Sequence, residues 1–588
     1  MRPSIAGPSA IRAVSGSRSR CLLAAAALCA SSSLAGAQVV LPSNVSPTCT
    51  VSPVQFASWF EQGSVTPNGI VEAADGLTFL PGSNCDFYKW STQMFLWLTS
   101  PAPAKYGKGS HVFNSPVFYD VSPVDGSGNR TLIPNAPDRI RNFAPFITQF
   151  DKRGNPVVVD AQGKLRSIIR LETGPTGRPV ARSKTGQLTE IQRTEAAPNG
   201  KPSFIDAAGK PIDALTQNGN PVLRDKAGKP IEIRGRVVIK GKTFLVDAAG
   251  NLVDTEQGQA GGGAVLMAQP LQGGAPGSLV YYALQVNDVY AYFLTGTKDN
   301  QILPTATQFP TTSQQLAQIK AYGLKNNKTF PDANALTVEV KSSWVEADKV
   351  PNPGDFVVIE ATIPTYTQVS NTQWNLSGTK TAKLALVGIH VVGTVAGQPE
   401  MLWATFEHVN NTANAAYTYT NTNGTTQTVP QQTSGTFVFT QFPLPSNPSD
   451  ANNERMAVSQ TGITADQNQT IGPSNLLRLT PWGTAPGSTF TGNNTDVVSL
   501  NNSVLSQLAA GDVRKNYIHI GTVWTKGGAP PSTGTQVGTT ALANTTMETY
   551  FQNSVNCFGC HQDPPMLGGP GNSDNGLSHI WGPLKPLF

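Results

Sequence analysis

The sequence predicts a mainly β protein (α+β): a β-sandwich-like main domain, interrupted by an insertion of β-hairpin repeats and finished by a short helical C-terminal segment. Three observations predict it. Only 13% of the 588 residues are charged, while Gly (56) and Pro (45) are plentiful, as in β-rich chains with many turns. Runs of β-branched and aromatic residues recur through the second half, and one of them, Leu384 to Val392, is apolar on both faces and must be covered from two sides. Between residues 149 and 257 a turn pattern repeats: Asp-x-x-Gly or Asn-Gly, then Lys or Asn, then Pro or Leu.

In chain order, residues 1–37 read as a secretory signal peptide. Arg12, Arg18 and Arg20 precede an apolar run from Leu22 to Ala30, and Ala35-Gly36-Ala37 is a small-residue cleavage site, so cleavage is expected after Ala37. The expected location is the periplasm or the exterior. No later apolar run reaches the roughly twenty residues of a membrane span, so no transmembrane segment is expected. Loss of the signal removes four arginines and lowers the formal charge from +5 to +1.

Residues 38–148 form the N-terminal helical part of the main domain. Ser52-Pro53 caps and opens a short helix, and Phe87, Trp90, Met94 and Trp97 recur at helical steps between Asp86 and Leu98. That aromatic face is either core or the wall of a prosthetic group. Residues 149–257 are the hairpin insertion, each turn placing a glycine in the left-handed region. Its Lys and Arg outnumber Asp and Glu by 18 to 10 between Phe150 and Val253, which suits either a solvated decoration or a surface for an acidic partner. Aromatic residues do not interleave these cations, so a nucleic-acid partner is not expected.

Residues 258–540 are the β-rich main domain. Val280–Val286 reads as a strand, Val289–Phe293 as strand or buried helix, and Thr312–Tyr322 as a helix. Strands are expected at Thr337–Val345, Phe356–Thr362, Lys383–Thr394, Met401–His408 and Thr436–Gln441. His390 and His408 fall on neighbouring strands, with Glu407 beside the second, and form a candidate second metal site. Adjacent strand residues point to opposite faces, so Glu407 and His408 do not easily share one ion, and hydrogen-bonded core histidines are the alternative.

Residues 541–588 carry the strongest motif. Thr545 and Glu548 have capping-box spacing for a helix through Tyr550, which leads to Cys557-Phe558-Gly559-Cys560-His561. This is the pattern to which haem is covalently attached: each thiol adds to one vinyl group, and the adjacent histidine lies beneath the iron. Zinc would need a second ligand pair, and a redox dithiol would open a helix after a strand; neither context is present. One haem c is therefore expected, with Cys557 and Cys560 as thioethers and His561 as proximal ligand. Cys49 and Cys85, the other cysteines after the signal, then form a disulfide in an oxidising compartment. Only 27 residues follow His561, too few for a self-contained small cytochrome, so the large domain must complete the site. For the sixth ligand His579 is the first candidate. Met94 is its rival, and Met566 is too near in sequence to reach the opposite face.

Leu386–Val392, Trp403–Val409 and Leu542–Tyr550, running into Cys557–His561, resemble a family of large secreted bacterial cytochrome c-like proteins with a single C-terminal CxxCH motif. The family has no established reaction; the resemblance implies haem and says little about substrate. It skips the basic insertion. Electron transfer with a redox partner protein is the expected function. A haem-dependent oxidoreductase acting on a small oxidant, or a binding or structural protein stapled by haem, are the alternatives. No Ser-His-acid spacing, phosphate loop or nucleotide fingerprint points to a hydrolase or nucleotide enzyme.

Overall fold

Phe118–Val121 (β1), Leu132–Pro134 (β2), Tyr281–Asn287 (β3), Val338–Glu346 (β4), Val358–Gln368 (β5), Gln373–Val395 (β6), Gln398–His408 (β7), Tyr517–Thr525 (β8) and Gln536–Gly538 (β9) belong to one large sheet. Its order is β2-β1-β3-β4-β6-β7-β8-β9, with β5 alongside the first half of β6, and the labelled strands pair antiparallel throughout. The computed structural model describes residues 41–588 apart from loop stretches, chiefly 151–155, 160–164, 255–263, 272–275, 445–451, 484–489, 530–534, 553–556 and 562–576. The expected signal peptide, 1–37, lies outside the described residues. Because β1 and β3 are neighbours, segments 38–148 and 258–540 share this sheet.

The protein is mainly β, and the strand 384–392 is covered on both sides, as its apolar pattern requires. Among the described residues the cover is not a second sheet. On one face lie helix α2 (Asn84–Leu98) and helix α5 (Phe490–Gln507). Phe95 of α2 stacks on Phe406 of β7 at 4.4 Å, and Phe87 stacks on Trp524 of β8 at 4.2 Å. Each such fully buried aromatic contributes about 2–3 kcal/mol. On the other face lies the C-terminal segment from Leu542 onward. The segment comes close at Gly388: a Cβ there would meet the Asn544 and Thr546 side-chain oxygens, and that of Ser343 on β4, at 2.7 Å.

The expected helices form. Ser52 caps α1 (Pro53–Ser58) by accepting from the Gln55 amide, and Thr312 with Gln315 makes a capping box for α4 (Ser313–Lys325). Residues 289–293 lie in α3 (Asp288–Lys298). Thr436–Gln441 is not a strand: its Thr440 hydroxyl and the amides of Val438 and Phe439 serve loop partners instead. Cys49 and Cys85 are joined as a disulfide, and the Cys49 amide and carbonyl are both bonded by the Ser499 hydroxyl of α5.

The insertion is a stack of short hairpins with its own core, including Leu171, Phe204, Ile233, Leu245 and Val253. The repeated turns work as their sequence implies. At Asp206 the carboxylate accepts from the Ala208 and Lys210 amides, and Gly209 takes φ +77°, a conformation open to glycine at no steric cost. Its last strand, Leu252–Asp254, lies parallel to the early strand Leu165–Arg170, closing the insertion on itself. No helix among the described residues is long and apolar enough to cross a membrane.

Candidate functional site

The sheet builds one wall of a cleft by alternation. Glu339 and Lys341 of β4, His390 and Val392 of β6, and Trp403 and Thr405 of β7 sit two apart and face the same way. Register sets Lys341 against His390 and His390 against Thr405, so these three form a row across three strands. The opposite wall comes from the C-terminal segment: Leu542, Glu548, Cys557, His561, His579 and Ile580. The space between is a small cavity of about 130 Å³ that opens to solvent.

The C-terminal segment is held on the sheet by a buried charge. Glu407 is fully buried, paired with Arg478 at 2.6 Å, and accepts from the Thr545 amide at 2.8 Å and hydroxyl at 2.5 Å. The helix expected from Thr545 does not form; 545–550 is a series of turns. Glu407 occupies the capping hydroxyl, and Glu548 is drawn instead to the Asn544 amide and to His390. Farther on, Lys298 of α3 donates to the carbonyls of Trp581, Gly582 and Leu584, and this pins the chain end.

Cys557–Cys560 forms a single helical turn (α6), and the His561 amide donates to the Cys557 carbonyl at 2.7 Å. The His561 ring lies between Trp403, 4.3 Å away between centroids, and His579, stacked at 3.9 Å and 16°. Its Nδ1 is 2.7 Å from the Leu577 carbonyl oxygen. A carbonyl only accepts, so Nδ1 carries the hydrogen and Nε2 keeps its lone pair. Burial pushes the imidazole pKa down to about 4, against the pull of the Leu577 carbonyl and of Glu548, so the ring is neutral at pH 7. A neutral imidazole with one nitrogen bonded to a backbone carbonyl and the other available is a prepared metal ligand.

The polar end of the cleft is a chain of contacts. Thr405 Oγ1 is hydrogen-bonded to His390 Nδ1, and His390 Nε2 is 3.1 Å from both Glu548 oxygens. Burial raises the Glu548 pKa, but His390, Lys341 and the Asn544 amide outweigh it and hold the carboxyl down at about 2. Glu339 has the opposite fate. Burial raises it to about 7, in spite of Ser578, which donates to it at 2.6 Å, and of Lys341 and Arg130.

His408 is not part of this cleft. It shares the α2 face with Phe406 and Tyr517, is fully buried, stacks on Phe356 at 3.7 Å, and has Nε2 against the Asp355 carbonyl. The candidate pairing with His390 does not form because the two residues point to opposite faces of the sheet, and among the described residues no three His, Cys, Asp or Glu side chains are arranged for a metal ion. Met94 is likewise fully buried in α2, the helix on the far face of the sheet, and does not line the cleft. His579 is at the site, beside His561 and face to face with it. Met566 lies outside the described residues.

No family model, no curated protein and no solved structure matches this chain. Sequence reasoning misses Glu339 and Lys341, although two charges spaced two apart in the otherwise uncharged strand Thr337–Val345 are a usable signal. Trp403 and Glu548 were noticed only for the family resemblance and for capping.

Proposed function

We propose that this chain is a secreted c-type cytochrome that carries electrons, with one haem c joined through Cys557 and Cys560 and ligated by His561. The observation that carries the reading is the Nδ1 bond of His561 to the Leu577 carbonyl, which fixes the tautomer and leaves Nε2 its lone pair, with Cys557 lining the same largely apolar cleft. The residues present fit the group. Trp403, Leu542, Val392 and Ile580 would exclude water from a flat apolar body. When bound, the haem would supply a one-electron iron couple; the chain would supply the ligand and the dry wall.

In this reading His561 is the axial ligand and His579 packs against its ring. Ligation by both histidines needs their nitrogens to converge on the iron from opposite faces, and stacked rings stand flank to flank. The test is attachment. Purified protein should show haem staining on a denaturing gel, and the double variant Cys557→Ala/Cys560→Ala should show none. A stained band in that variant, or a wild-type protein without haem absorption, overturns the proposal.

A second reading, an oxidoreductase acting on a small oxidant, is favoured by one observation: the His390–Glu548 pair opens into the same cleft. An electron carrier has no need of an acid–base pair there.

A further inference from the structure

A second recess lies at the hairpin β5–β6 and shares no lining residue with the cleft beside His561. It is an open groove of about 360 Å³, against about 130 Å³ for that cleft. Its aromatic part is Tyr281 of β3, Tyr366 of β5 and Trp374 of β6. Alternation puts Tyr366 and Gln368 on one face of β5, and Trp374 stands opposite Gln368 in the ladder, so the two rings share that face of the hairpin. Both are half-buried against the main core while they line the groove, which makes them fixed platforms. Trp374 Nε1 is buried, so the indole offers the groove carbon rather than its N–H. Leu376, opposite Tyr366, is 55% exposed and carries the apolar strip on along the hairpin.

The charged part is Glu346, Lys349 and Lys380. Lys380 is paired with Glu346, and the two charges cancel. Lys349 has the carboxylate of the neighbouring, exposed Asp348 at 3.8 Å, beyond hydrogen-bond length, so its ammonium is the surplus charge of the groove. That surplus argues against a cationic guest such as a quaternary ammonium in an aromatic cage. A proline-rich peptide also suits poorly, because its carbonyls want donors and the indole N–H is turned away. Ring faces of carbon, rimmed by Gln368, Thr365 and a lysine, match a ligand with apolar C–H faces, many hydroxyls and a carboxylate.

We propose that this groove binds a chain of uronic acid sugars, with the C–H faces of its rings stacked on Trp374 and Tyr366 and a carboxylate on Lys349. The continuation of the apolar strip through Leu376 suits a polymer better than a single sugar. Binding is non-covalent, and it is independent of the haem reading because the groove uses none of the residues around His561. A secreted protein with such a groove would be retained on an acidic polysaccharide.

The test is calorimetry on the full chain with hexasaccharides of galacturonate and of mannuronate, the methyl ester of the first, and polyglutamate. The ester keeps the sugar rings and removes the charge; polyglutamate keeps the charge and has no rings. Wild type should bind at least one of the two uronates and should not bind polyglutamate. Trp374→Ala should weaken the uronate about tenfold, the worth of a stacked ring, and Trp374→Phe should recover most of that loss. Lys349→Gln should weaken the uronate about threefold, the worth of an exposed charge pair, with the methyl ester bound equally by variant and wild type. High salt should erase the difference that Lys349→Gln makes. Lys349 is on the surface, so its variant keeps the test decisive should Trp374→Ala not fold. Binding of neither uronate, equal affinity in wild type and in the folded variants, polyglutamate bound as tightly as the uronate, or a proline-rich peptide displacing it from the groove with higher affinity overturns the proposal. Each of these results leaves the haem reading untouched.

Discussion

The two faces of the central sheet treat the same residue type in opposite ways. On the helix-covered face, His408 and His519 lie among aromatic rings. Phe356 stacks on the first and Phe406 on the second, and burial pushes both pKa values down to about 3. On the face covered by the C-terminal segment, His390, His561 and His579 converge on one cleft with Glu339, Lys341 and Glu548. Three of the six histidines in the chain are thus gathered at one place. The difference teaches that a helix cover, supplied by apolar side chains, leaves a histidine as core, whereas a cover made of turns brings backbone carbonyls and carboxylates that give it chemistry.

The largest expected effect tests what holds that second cover in place. Glu407→Gln leaves Arg478 buried without its counter-charge, so stability should fall by roughly 3–5 kcal/mol, read from urea unfolding. A loss under about 1 kcal/mol would mean that Glu407 does not fasten the segment.

Glu339 sharpens the contrast in the titration of stability. Its folded pKa, about 7, lies above its ordinary 4.5, so the folded state holds a proton that the unfolded chain has released. Stability from this group is present below about pH 4.5 and is lost as pH rises through 7, by up to about 3 kcal/mol. Glu339→Gln should flatten that decline between pH 5 and 8. An unchanged slope would refute the assignment.

The closed face should titrate with the opposite sign. His408 and His519 stay neutral in the fold while the unfolded chain takes up protons below its ordinary 6.5, so stability falls as pH drops from 6.5 towards 3. At pH 5.5 the penalty is about 1.4 kcal/mol for each histidine. The double variant His408→Gln/His519→Gln should lose less of its melting temperature between pH 7.5 and 5.5 than the wild type does.

The smallest effect belongs to His579. Its alanine variant should cost about 1 kcal/mol, the worth of a stacked ring pair, and leave the spin state of a bound haem as it was. A shift to high spin would instead make it the second axial ligand, as the sequence suggests.

Much of the fold was legible because alternation and capping are local. The turn glycines of the insertion, the helix of Met94 and the strands around 338–346 and 384–395 all follow from spacing of side chains. The cleft was legible in part. Cys557 and His561 announce themselves by rarity, but Lys341 and His390 meet only through the register of β4 with β6, and register is a property of the assembled sheet. His390 and His408 part for the same reason: they lie on adjacent strands, yet parity sends them to opposite sides, and His408 is the hydrogen-bonded core histidine of the alternative reading. Thr545 and Glu548 had the spacing of a cap, and tertiary partners, Glu407 and His390, claimed both side chains first.

The parallel pairing of Leu252–Asp254 with Leu165–Arg170 makes the insertion a loop in the sense that matters to evolution. Neighbouring strands lie about 4.8 Å apart, and the last strand lies three strands from the first, Gln149–Phe150, in one sheet, so the chain leaves this excursion through the sheet by which it entered. An ion pair, Arg170 with Glu454, ties the insertion to the main body. Hairpins could have been gained or lost there, one turn motif at a time, without displacing a single strand that lines the cleft, and a lineage could exchange this module while keeping the chemistry beside it.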